Sequence, residues 1–550
     1  MLKKTDGTYF EGEGEVEKPS VAIIGAGFGG LSAAMLLSEK GYHVNVFDRL
    51  QTVGGRGSSK TQEGHRFDLG PTILTLPKNF EELWKRCGDD LNKHIKIEKL
   101  NPYYDLRFDD NNVVSISGNK SEFEDQIKKF APNDLKGYRK FMRLSERQYN
   151  FAFSKKGSMG RSPMHRLWDT LKVLPRFALL RADRSVYKSA ASYVTNSKLR
   201  FALSFHPLFV GGNPFTVTSM WGLVNYLEHK FGVYYIHGGA QAMANKMAEK
   251  IKSSGGQVAL NTTVNKILTK ENRAIGVQLE SGEKISADYV VSNADLQNTY
   301  DGLLGHKKKK RWTKNKLDSK KWSMSLFVWH FGTSKTRSKW KNVGHHTILV
   351  GPNYKKEVND IFIKGTLPQE MSLYVHRPSV TDKTCAPKGD DTFYVLACVP
   401  NLSFKNDIDW QKIEKSYKEK VLNVLERRLL PGLGRSIKTE YIMTPLDFKE
   451  RYLSHFGSGF SLEPQMFQSA WFRPHNRSEE LDNLFLVGAG THPGPGLPGV
   501  LASAEILDDI LPDVKNSAEE KAYSTRKNIC LLYTSPSPRD LSTSRMPSSA

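Results

Sequence analysis

A regular spacing of glycines near the N-terminus is followed by one acidic residue that could contact the same ligand. The glycines form Gly25-Ala-Gly-Phe-Gly-Gly30, which fits the pattern GxGxxG. In this pattern the first glycine permits a tight turn, the second lets a pyrophosphate approach the backbone, and the third lets a helix pack closely on a strand. Asp48 stands 18 residues after Gly30, where a carboxylate can accept hydrogen bonds from ribose hydroxyls. We therefore predict a dinucleotide site here; the alternative is an ordinary glycine-rich turn.

A second glycine turn, Val53-Gly-Gly-Arg-Gly-Ser-Ser59, follows a few residues later. Its GGR sequence combines a backbone nest with an arginine, which suits the pyrophosphate of a dinucleotide and the ring system beside it. This turn is typical of flavoproteins with two dinucleotide-binding domains. It therefore favours FAD over NAD, and a mobile surface loop is the alternative interpretation.

A third glycine-rich segment, near the C-terminus, runs Gly488-Ala-Gly-Thr-His-Pro-Gly-Pro-Gly-Leu-Pro-Gly-Val500 and holds five glycines and three prolines. A loop of this kind before a helix aims backbone N–H groups and the helix N-terminus at a ligand. A flavin needs such donors where negative charge develops on its ring during reduction. The two ends of the chain are therefore predicted to build one site.

Each glycine-rich segment is flanked by elements that would hold it in place. Short apolar, β-branched runs predict buried strands of a parallel sheet, and apolar residues at helical spacing predict the helices. Gly41 is placed to cap the first helix at its C-terminus. Strands are predicted over residues 21–24, 43–47, 258–264, 274–279, 284–292 and 484–487. Helices are predicted over residues 31–40 and 501–510.

Several longer blocks make the sequence recognisable. The segment Gly490 to Gly499 closely resembles the C-terminal signature of the bacterial and fungal phytoene desaturase family, and the likeness extends over residues 21–511. The chain departs from the family in having Asp48 where Glu is commoner, and in showing no hydrophobic anchor of the kind many fungal members carry. The other blocks are Phe67-Asp-Leu-Gly-Pro-Thr72, Ser204-Phe-His-Pro-Leu-Phe-Val-Gly-Gly-Asn-Pro-Phe215, Tyr235-Ile-His-Gly-Gly-Ala240, Pro378-Ser-Val-Thr-Asp382 and Ala386-Pro-Lys-Gly389.

The resemblance implies an α/β fold of the two-dinucleotide-binding-domain flavoprotein class. A discontinuous Rossmann-like FAD domain is expected from residues 20–80, 235–300 and 475–513. An α+β domain that binds substrate and membrane is expected from residues 81–234 and 301–474. Residues 514–550 are expected to be a disordered or artefactual tail, because their Ser- and Pro-rich sequence cannot bury enough surface to offset the entropy of ordering.

The resemblance also implies which residues meet the cofactor. FAD is expected without a metal. The expected FAD-contacting residues are Gly25, Gly27, Gly30, Asp48, Arg49, Gly55, Arg56, Gly70, Pro71, Thr72, Val264, Gly490, His492, Pro493, Gly494, Leu497, Pro498, Gly499 and Val500. Val264 is placed on the adenine side. The sequence does not single out catalytic residues; the polar candidates near the flavin are His206, Asn213, Arg377 and His492, each more readily explained as structural or flavin-contacting than as a proton-transfer group.

The amino-acid composition excludes several classes of protein. The 550 residues are 39% hydrophobic and 25% charged, which excludes wholesale disorder. Neither a signal peptide nor an apolar run long enough to span a membrane is seen. The four cysteines, Cys87, Cys385, Cys398 and Cys530, share no CxxC spacing, so a reducing compartment is expected.

The net charge of +22 predicts an anionic partner. Residues 155–200 hold eleven Lys or Arg against two Asp, interleaved with Trp168 and several leucines, and His306-Lys-Lys-Lys-Lys-Arg311 adds a second basic run. Apolar residues interleaved with basic ones suit a helix lying on an anionic membrane. A monotopic or peripheral enzyme on the cytoplasmic side is expected, with an oligomer on the membrane compatible with this picture. Solvated charged faces are the alternative, and no nucleic-acid-binding motif is present.

The family's reaction removes two hydrogens from adjacent carbons of a hydrophobic C40 or C30 polyene, with FAD as hydride acceptor and a quinone or O₂ reoxidising it. Three alternatives remain open from the sequence. They are another flavin oxidase such as an amine or protoporphyrinogen oxidase, a carotenoid isomerase or retinoid saturase, and a prenyl-binding escort protein that has lost FAD. The intact GxGxxG motif with Asp48 argues against the last of these.

Overall fold

The computed structural model describes residues 18–155, 157–305, 309–405 and 407–514. The tail from Lys515, with Cys530, lies outside these ranges, as does the start of the second basic run. Fourteen α-helices lie in the described residues: α1 Phe28–Glu39, α2 Pro77–Arg86, α3 Lys120–Phe130, α4 Leu135–Ala152, α5 Leu167–Leu179, α6 Val186–Ala191, α7 Ser197–Ser204, α8 Leu223–Phe231, α9 Gly239–Ser253, α10 Lys314–Asp318, α11 Tyr354–Asn359, α12 Trp410–Arg428, α13 Pro445–Tyr452 and α14 Leu497–Ile510.

Twenty strands in the described residues form the sheets. They are β1 Ser20–Ile24, β2 His43–Phe47, β3 Ser59–Gln62, β4 His65–Asp68, β5 Leu74–Thr75, β6 Ile97–Lys99, β7 Tyr104–Arg107, β8 Val113–Ile116, β9 Val233–Ile236, β10 Gln257–Ala259, β11 Val264–Lys270, β12 Arg273–Leu279, β13 Lys284–Ser286, β14 Tyr289–Ser292, β15 Ser325–Thr333, β16 His346–Leu349, β17 Leu373–His376, β18 Asp391–Val399, β19 Ile437–Met443 and β20 Leu484–Leu486.

A five-stranded parallel sheet, in the order β10-β2-β1-β14-β20, forms the centre of one half of the molecule. Its strands come from three separated regions of the chain, as the predicted fold class requires. Alternate residues of β1 face opposite sides. Val21 and Ile23 pack with α1, α9 and α14, whereas Ala22 and Ile24 pack with the antiparallel sheet β11-β12-β13. Both faces are therefore buried, which explains the continuous apolar run in the sequence.

The predicted strands 258–264 and 284–292 are wrong in extent. Each is split between two sheets: β10 and β14 join the parallel sheet, whereas β11 and β13 join the antiparallel one. Between β10 and β11 the chain turns at Asn261, whose φ is +52°. A strand cannot continue through that left-handed conformation.

Both predicted helices flanking the glycine-rich segments begin earlier than expected. α1 starts at Phe28, inside the GxGxxG motif, and α14 starts at Leu497 instead of Leu501. Pro498 lies in the first turn of α14, where its missing N–H costs nothing. The N-termini of both helices therefore lie at the glycine-rich loops themselves.

The other half of the molecule is built on a seven-stranded mixed sheet, in the order β19-β15-β18-β17-β16-β7-β8. Its strands come from the regions predicted to form the substrate domain, but the predicted domain boundaries themselves stay a prediction. Helix α12 packs on one face through Trp410, Tyr417 and Leu425. Within the residues described, no helix combines the length and the apolar character needed to cross a membrane.

Candidate cofactor and substrate site

The GxGxxG segment has the close backbone contacts that its sequence predicts. Gly25 has φ +98°, which favours glycine. A Cβ on Gly30 would overlap the carbonyl oxygen of Gly25, so this glycine permits the tight packing of α1 on the loop. Gly27 pairs with Gly54 of the second turn, and the Gly54 N–H donates to the Ala26 carbonyl over 2.8 Å. The first two glycine turns therefore form one cradle.

Asn293, directly after β14, joins this cradle to the C-terminal loop. Its Nδ2 donates to the Gly25 carbonyl oxygen over 3.2 Å. A Cβ on Gly29 or on Gly488 would lie only 2.5 Å from the Asn293 Oδ1. This residue directly follows the predicted strand 284–292 and is not singled out by the sequence motifs. Its position at the end of a central strand of a parallel sheet was the available signal.

Asp48 is buried at the end of β2 and lines the same cavity. Its two carboxylate oxygens accept hydrogen bonds from the backbone N–H groups of Ala26, over 2.6 Å, and Leu50, over 2.8 Å. Burial raises the pKa of Asp48, against the opposing effect of these two donors. The carboxylate is thus fixed beside the first glycine turn, where the motif predicts contact with a ribose.

Arg56, in the second glycine turn, is directed into the cavity and has an unused donor. Its Nη2 donates to the Ser454 hydroxyl, and its guanidinium lies 5.6 Å from the centre of the Tyr452 ring. Its Nε is buried and has no hydrogen-bond partner within the described residues. Burial raises the pKa of the neighbouring Asp295 to about 6, although the positive charge of Arg56 opposes the shift. An anionic group entering the cavity would therefore find a buried, partly free guanidinium.

The C-terminal loop is held in a conformation that needs its glycines. Gly494 has φ +134° and Gly496 has φ +94°. A Cβ on Gly499 would lie 2.6 Å from the Gly494 carbonyl oxygen. A side chain at position 494 would therefore be strained, and one at position 499 would clash with the loop.

Arg473 holds the same loop through hydrogen bonds to its backbone. Sequence reasoning did not identify this residue. Its fully buried guanidinium donates to the carbonyl oxygens of Ala489, over 2.8 Å, and Thr491, over 3.1 Å. Burial lowers the pKa of Arg473 to about 9. A lone arginine outside any motif gives no signal of such a role in the sequence.

One cavity of about 490 Å³ connects all three glycine-rich segments with the mixed-sheet half of the molecule. Most of the predicted FAD-contacting residues line it. They are Gly25, Gly27, Asp48, Arg49, Gly55, Arg56, Gly70, Pro71, Thr72, Val264, Gly490, Pro493, Gly494, Leu497, Pro498, Gly499 and Val500. Gly30 and His492 are absent from the lining.

Of the four polar candidates, only His206 lines the cavity. Asn213 is buried, with its Oδ1 accepting from the Phe215 N–H over 2.8 Å. Arg377 forms a buried bidentate pair with Asp391, at 2.8 and 3.1 Å. His492 is 3.2 Å from the Met159 carbonyl oxygen, and burial lowers its pKa to about 4. The last three therefore have structural partners and do not face the cavity.

Beyond the glycine-rich loops the cavity wall is largely apolar and aromatic. Tyr374, whose hydroxyl is 2.5 Å from that of Thr72, lies at the transition between the two parts. Two buried acids, Glu228 and Glu357, interrupt this wall. The apolar lining residues include Phe153, Phe201, Phe205, Phe209, Trp221, Leu223, Leu227, Ile348, Leu396 and Phe460.

The residues present fit a bound FAD. The glycine cradle leaves room that any Cβ would fill, the buried Nε of Arg56 supplies a free donor for a pyrophosphate, and Asp48 is placed for a ribose. The N-terminus of α14 and the rigid loop before it supply backbone donors for a ring that gains negative charge. The apolar extension of the same cavity leaves room for a second, hydrophobic molecule.

The fold and this site are those of flavoprotein oxidoreductases. The family model for flavin-containing amine oxidoreductases matches residues 28–506. A solved putrescine oxidase, redesigned at its cofactor site, has the same fold, with a TM-score of 0.60 at 14% identity over 90% of this chain and 98% of that chain. The cofactor of this chain is FAD.

Two curated relatives define the family more closely. The neurosporene-forming phytoene desaturase of Rhodobacter capsulatus is 54% identical over 89% of this chain and 93% of its own length. The lycopene-forming phytoene desaturase of a Paracoccus species is 41% identical over 89% of this chain and 96% of its own length. The chain belongs to the phytoene desaturase family of FAD-dependent oxidoreductases.

We predict that Gly27→Val yields a protein without FAD. The backbone conformation of Gly27 is one that other residues adopt, with φ −74°. A Cβ at this position, however, would lie 2.9 Å from the Asn293 Nδ2 and would occupy the path of the pyrophosphate. Flavin absorbance of the purified variant measures the loss. Gly344→Val is the control, because the nearest atom to its Cβ is 3.9 Å away. Stoichiometric FAD in Gly27→Val would refute the assignment of this cradle.

Gly499→Val should abolish desaturation and loosen FAD or shift its absorption band. The added Cβ would meet the Gly494 carbonyl 2.6 Å away and displace the loop. The flavin spectrum and the pigment profile of this variant are measured together. A normal spectrum with altered products would instead place the loop at the mouth of the substrate cavity.

Proposed function

We propose that this chain desaturates phytoene, or a closely related acyclic carotenoid, with FAD as the oxidant. The observation that carries the proposal is the apolar cavity that continues from the FAD loops, in a chain 54% identical to a phytoene desaturase over nearly the full length of both. A hydrocarbon offers no hydrogen-bonding group, so an aromatic and aliphatic wall is the binding surface it requires. Because that relative forms neurosporene, neurosporene is the proposed end product.

FAD supplies the two-electron oxidation of the substrate when it is bound. The residues of the chain bind the cofactor, orient the substrate and exclude water from the site. Gly27, Asp48 and Arg56 hold the dinucleotide, and the loop before α14 fixes the ring through backbone groups. The aromatic wall, including Phe209 and Tyr374, places the substrate against the ring and keeps water away from the reacting carbons.

Desaturation of phytoene in liposomes by the purified, FAD-loaded protein tests this proposal. Coloured polyenes identified by their absorption spectra and chromatographic retention are the expected result, with neurosporene as the last product. Turnover of an amine without any pigment would favour an amine oxidase, and isomerised substrate without net dehydrogenation would favour an isomerase or saturase. A protein that is colourless as purified would revive the escort interpretation.

Attachment to an anionic membrane surface through α5 is part of the proposal. Five large apolar side chains of this helix are solvent-exposed, Trp168 to 63% and Leu179 to 69%. Lys172 and Arg176 are exposed beside them. Phe467, exposed to 69%, packs against Phe472, with ring centres 5.6 Å apart, in a segment that contacts α5. Exposed apolar residues with basic neighbours suit insertion at the level of the lipid headgroups. The other exposed apolar residues of α5 are Leu167, Leu171 and Leu174.

The inner side of α5 connects this surface to the cavity. Phe177 packs against Phe151, with ring centres 5.7 Å apart, in a cluster that includes Phe153 and Leu223. Phe153 and Leu223 line the cavity. A hydrocarbon leaving the bilayer at α5 would therefore meet the apolar wall directly.

The second basic run gives weaker support to membrane binding. Arg311 forms an ion pair with Glu479, at 3.2 Å, and its guanidinium lies 4.3 Å from the centre of the Trp471 ring. Glu480 accepts hydrogen bonds from the backbone of Lys310 and Arg311. This part of the run is engaged within the molecule, so we assign attachment to α5.

Leu174→Gln should lower binding to anionic liposomes about tenfold, since ~1.4 kcal/mol of lost apolar transfer corresponds to a factor of ten. Co-sedimentation with vesicles containing phosphatidylserine measures the effect. Ile275→Gln, on β12, is the matched control because the exposure of Ile275 is 44% against 48% for Leu174. High salt should also weaken binding by screening the basic side chains. Equal binding of both variants and the unmodified chain would exclude α5 as the attachment site.

A further inference from the structure

Glu228 is a buried acid on the wall of an otherwise apolar part of the cavity. It lies on α8 and is 3% exposed. Its Oε2 accepts a hydrogen bond from the Tyr104 hydroxyl over 2.6 Å and lies 3.1 Å from the His206 Nε2. Its Oε1 is buried and has no hydrogen-bond partner within the described part of the chain. One oxygen of the carboxyl group is therefore fixed and the other is free.

The two donors hold Glu228 in a defined orientation. Tyr104 and His206 are themselves buried and lie 3.1 Å apart, so the three side chains form a closed cluster. Burial, together with the negative charge of Glu228, raises the pKa of Tyr104 well above its ordinary value. Tyr104 thus stays a neutral hydrogen-bond donor. With both donors on Oε2, the free lone pairs belong to Oε1.

Packing alone does not explain a buried carboxylate that leaves one oxygen without a hydrogen-bond partner. An unpaired buried acceptor is destabilising, and a hydrocarbon substrate cannot supply the missing donor. Glu357, the other acid of the apolar wall, shows the ordinary structural solution. Its two oxygens accept from the Ser372 N–H over 2.7 Å and from the Ser372 hydroxyl over 2.6 Å. Glu228 differs from Glu357 in that it leaves one oxygen free.

Glu228 and His206 of the cluster line the same cavity as a segment predicted to contact the cofactor. Thr72, in a predicted FAD-contacting segment, has its hydroxyl 2.5 Å from that of Tyr374. The Tyr374 ring is 6.3 Å from that of Phe209, and the Phe209 ring is 6.2 Å from that of His206. Two aromatic side chains therefore separate the cluster from the cofactor segment. A polyene lying along this wall would pass both.

We propose that Glu228 is the catalytic residue that accepts the proton lost from the substrate in each desaturation, with Tyr104 and His206 as positioning residues. This inference rests on the proposed function. Removal of two hydrogens from adjacent carbons breaks two C–H bonds and forms one C=C bond. One hydrogen leaves with both electrons of its bond to the oxidised flavin, so the substrate is oxidised and the flavin is reduced. The other leaves as a proton to Glu228 Oε1, and the electron pair of its C–H bond becomes the π bond.

The negative charge of Glu228 has a second effect on the same reaction. Loss of the first hydrogen with its electron pair leaves an allylic cation on the substrate, and a nearby carboxylate in apolar surroundings stabilises this charge. The nearby phenyl and phenol rings cannot take up a proton at neutral pH. Glu228 thus supplies both the charge and the acceptor that the hydrocarbon lacks.

Glu228→Gln tests the assignment on the full-length, FAD-loaded protein with phytoene in liposomes. The Gln side-chain oxygen can keep both hydrogen bonds, but the side chain can no longer take a proton. Initial rates should fall at least about 100-fold, the usual range for loss of a general base, with FAD content and flavin spectrum unchanged. Phytoene deuterated at either of the two reacting carbons adds a second measurement. The isotope effect should increase at the carbon that loses a proton and not at the carbon that loses hydride.

Glu463→Gln is the matched control, because Glu463 is as buried as Glu228, at 3% exposure, has both oxygens hydrogen-bonded and does not line the cavity. It should retain activity within about threefold. A Glu228→Gln protein with FAD bound and activity within about threefold of the unmodified chain would overturn the proposal, and so would equal losses in both variants. If the unmodified chain forms no polyene, the proposed function has failed and not the role of Glu228.

Tyr104→Phe decides the question if Glu228→Gln does not fold. This variant keeps the carboxylate but removes one of its two donors. Here kcat should fall about tenfold with KM unchanged, because the hydroxyl positions the acceptor and does not touch the substrate. Unchanged kcat in a folded, FAD-containing Tyr104→Phe protein would overturn the positioning of Glu228.

Discussion

The contact between the Asn293 amide and the backbone of two glycine-rich loops is the constraint on which the rest of the site depends. The side chain fills the space that glycines leave at positions 29 and 488, and it hydrogen-bonds to the Gly25 carbonyl. Loops from the two ends of the chain can converge on one ligand only if nothing larger stands between them. The phosphate cradle and the loop before α14 thus share one wall, which a single side chain from the middle of the chain completes.

The two halves of the cavity meet different physical demands. At the glycine-rich loops the ligand is charged and polar, so backbone N–H groups, Asp48 and Arg56 form the wall. Beyond these loops the cavity wall must bind a hydrocarbon, and aromatic rings line this part. Thr72 and Tyr374 lie where one kind of wall changes into the other. This division explains how one continuous cavity can hold a dinucleotide and an oily substrate in contact.

Sequence reasoning placed three separated glycine-rich segments around one cavity, because glycine-rich turns between a strand and a helix follow local backbone rules; contact of their residues with FAD stays a prediction. Seventeen of the nineteen residues it proposed for FAD line the cavity, and Gly30 has the packing role expected of it. The roles of polar side chains were predicted less well from the sequence. His492 and Arg377 belong to recognisable blocks, but burial and backbone partners account for both. Glu228, Asn293 and Arg473 carry no spacing signal, because their neighbours in space are distant in sequence. The strands 258–264 and 284–292 were misjudged because a change of sheet leaves little trace in an apolar pattern.

The order of strands in the parallel sheet has a consequence for how the protein is made. β1 and β2 lie at the start of the chain, yet β1 pairs with β14, and Ser20 hydrogen-bonds to Asp288, 268 positions away. β20 adds the edge strand beside β14 still later in the chain. The edge of β1 that pairs with β14, and the face of α1 that packs against α14, must therefore stay uncovered while most of the chain emerges from the ribosome. A chain of this topology depends on protection of its N-terminal segment during synthesis, and any truncation before β14 would leave one edge of β1 without its partner strand.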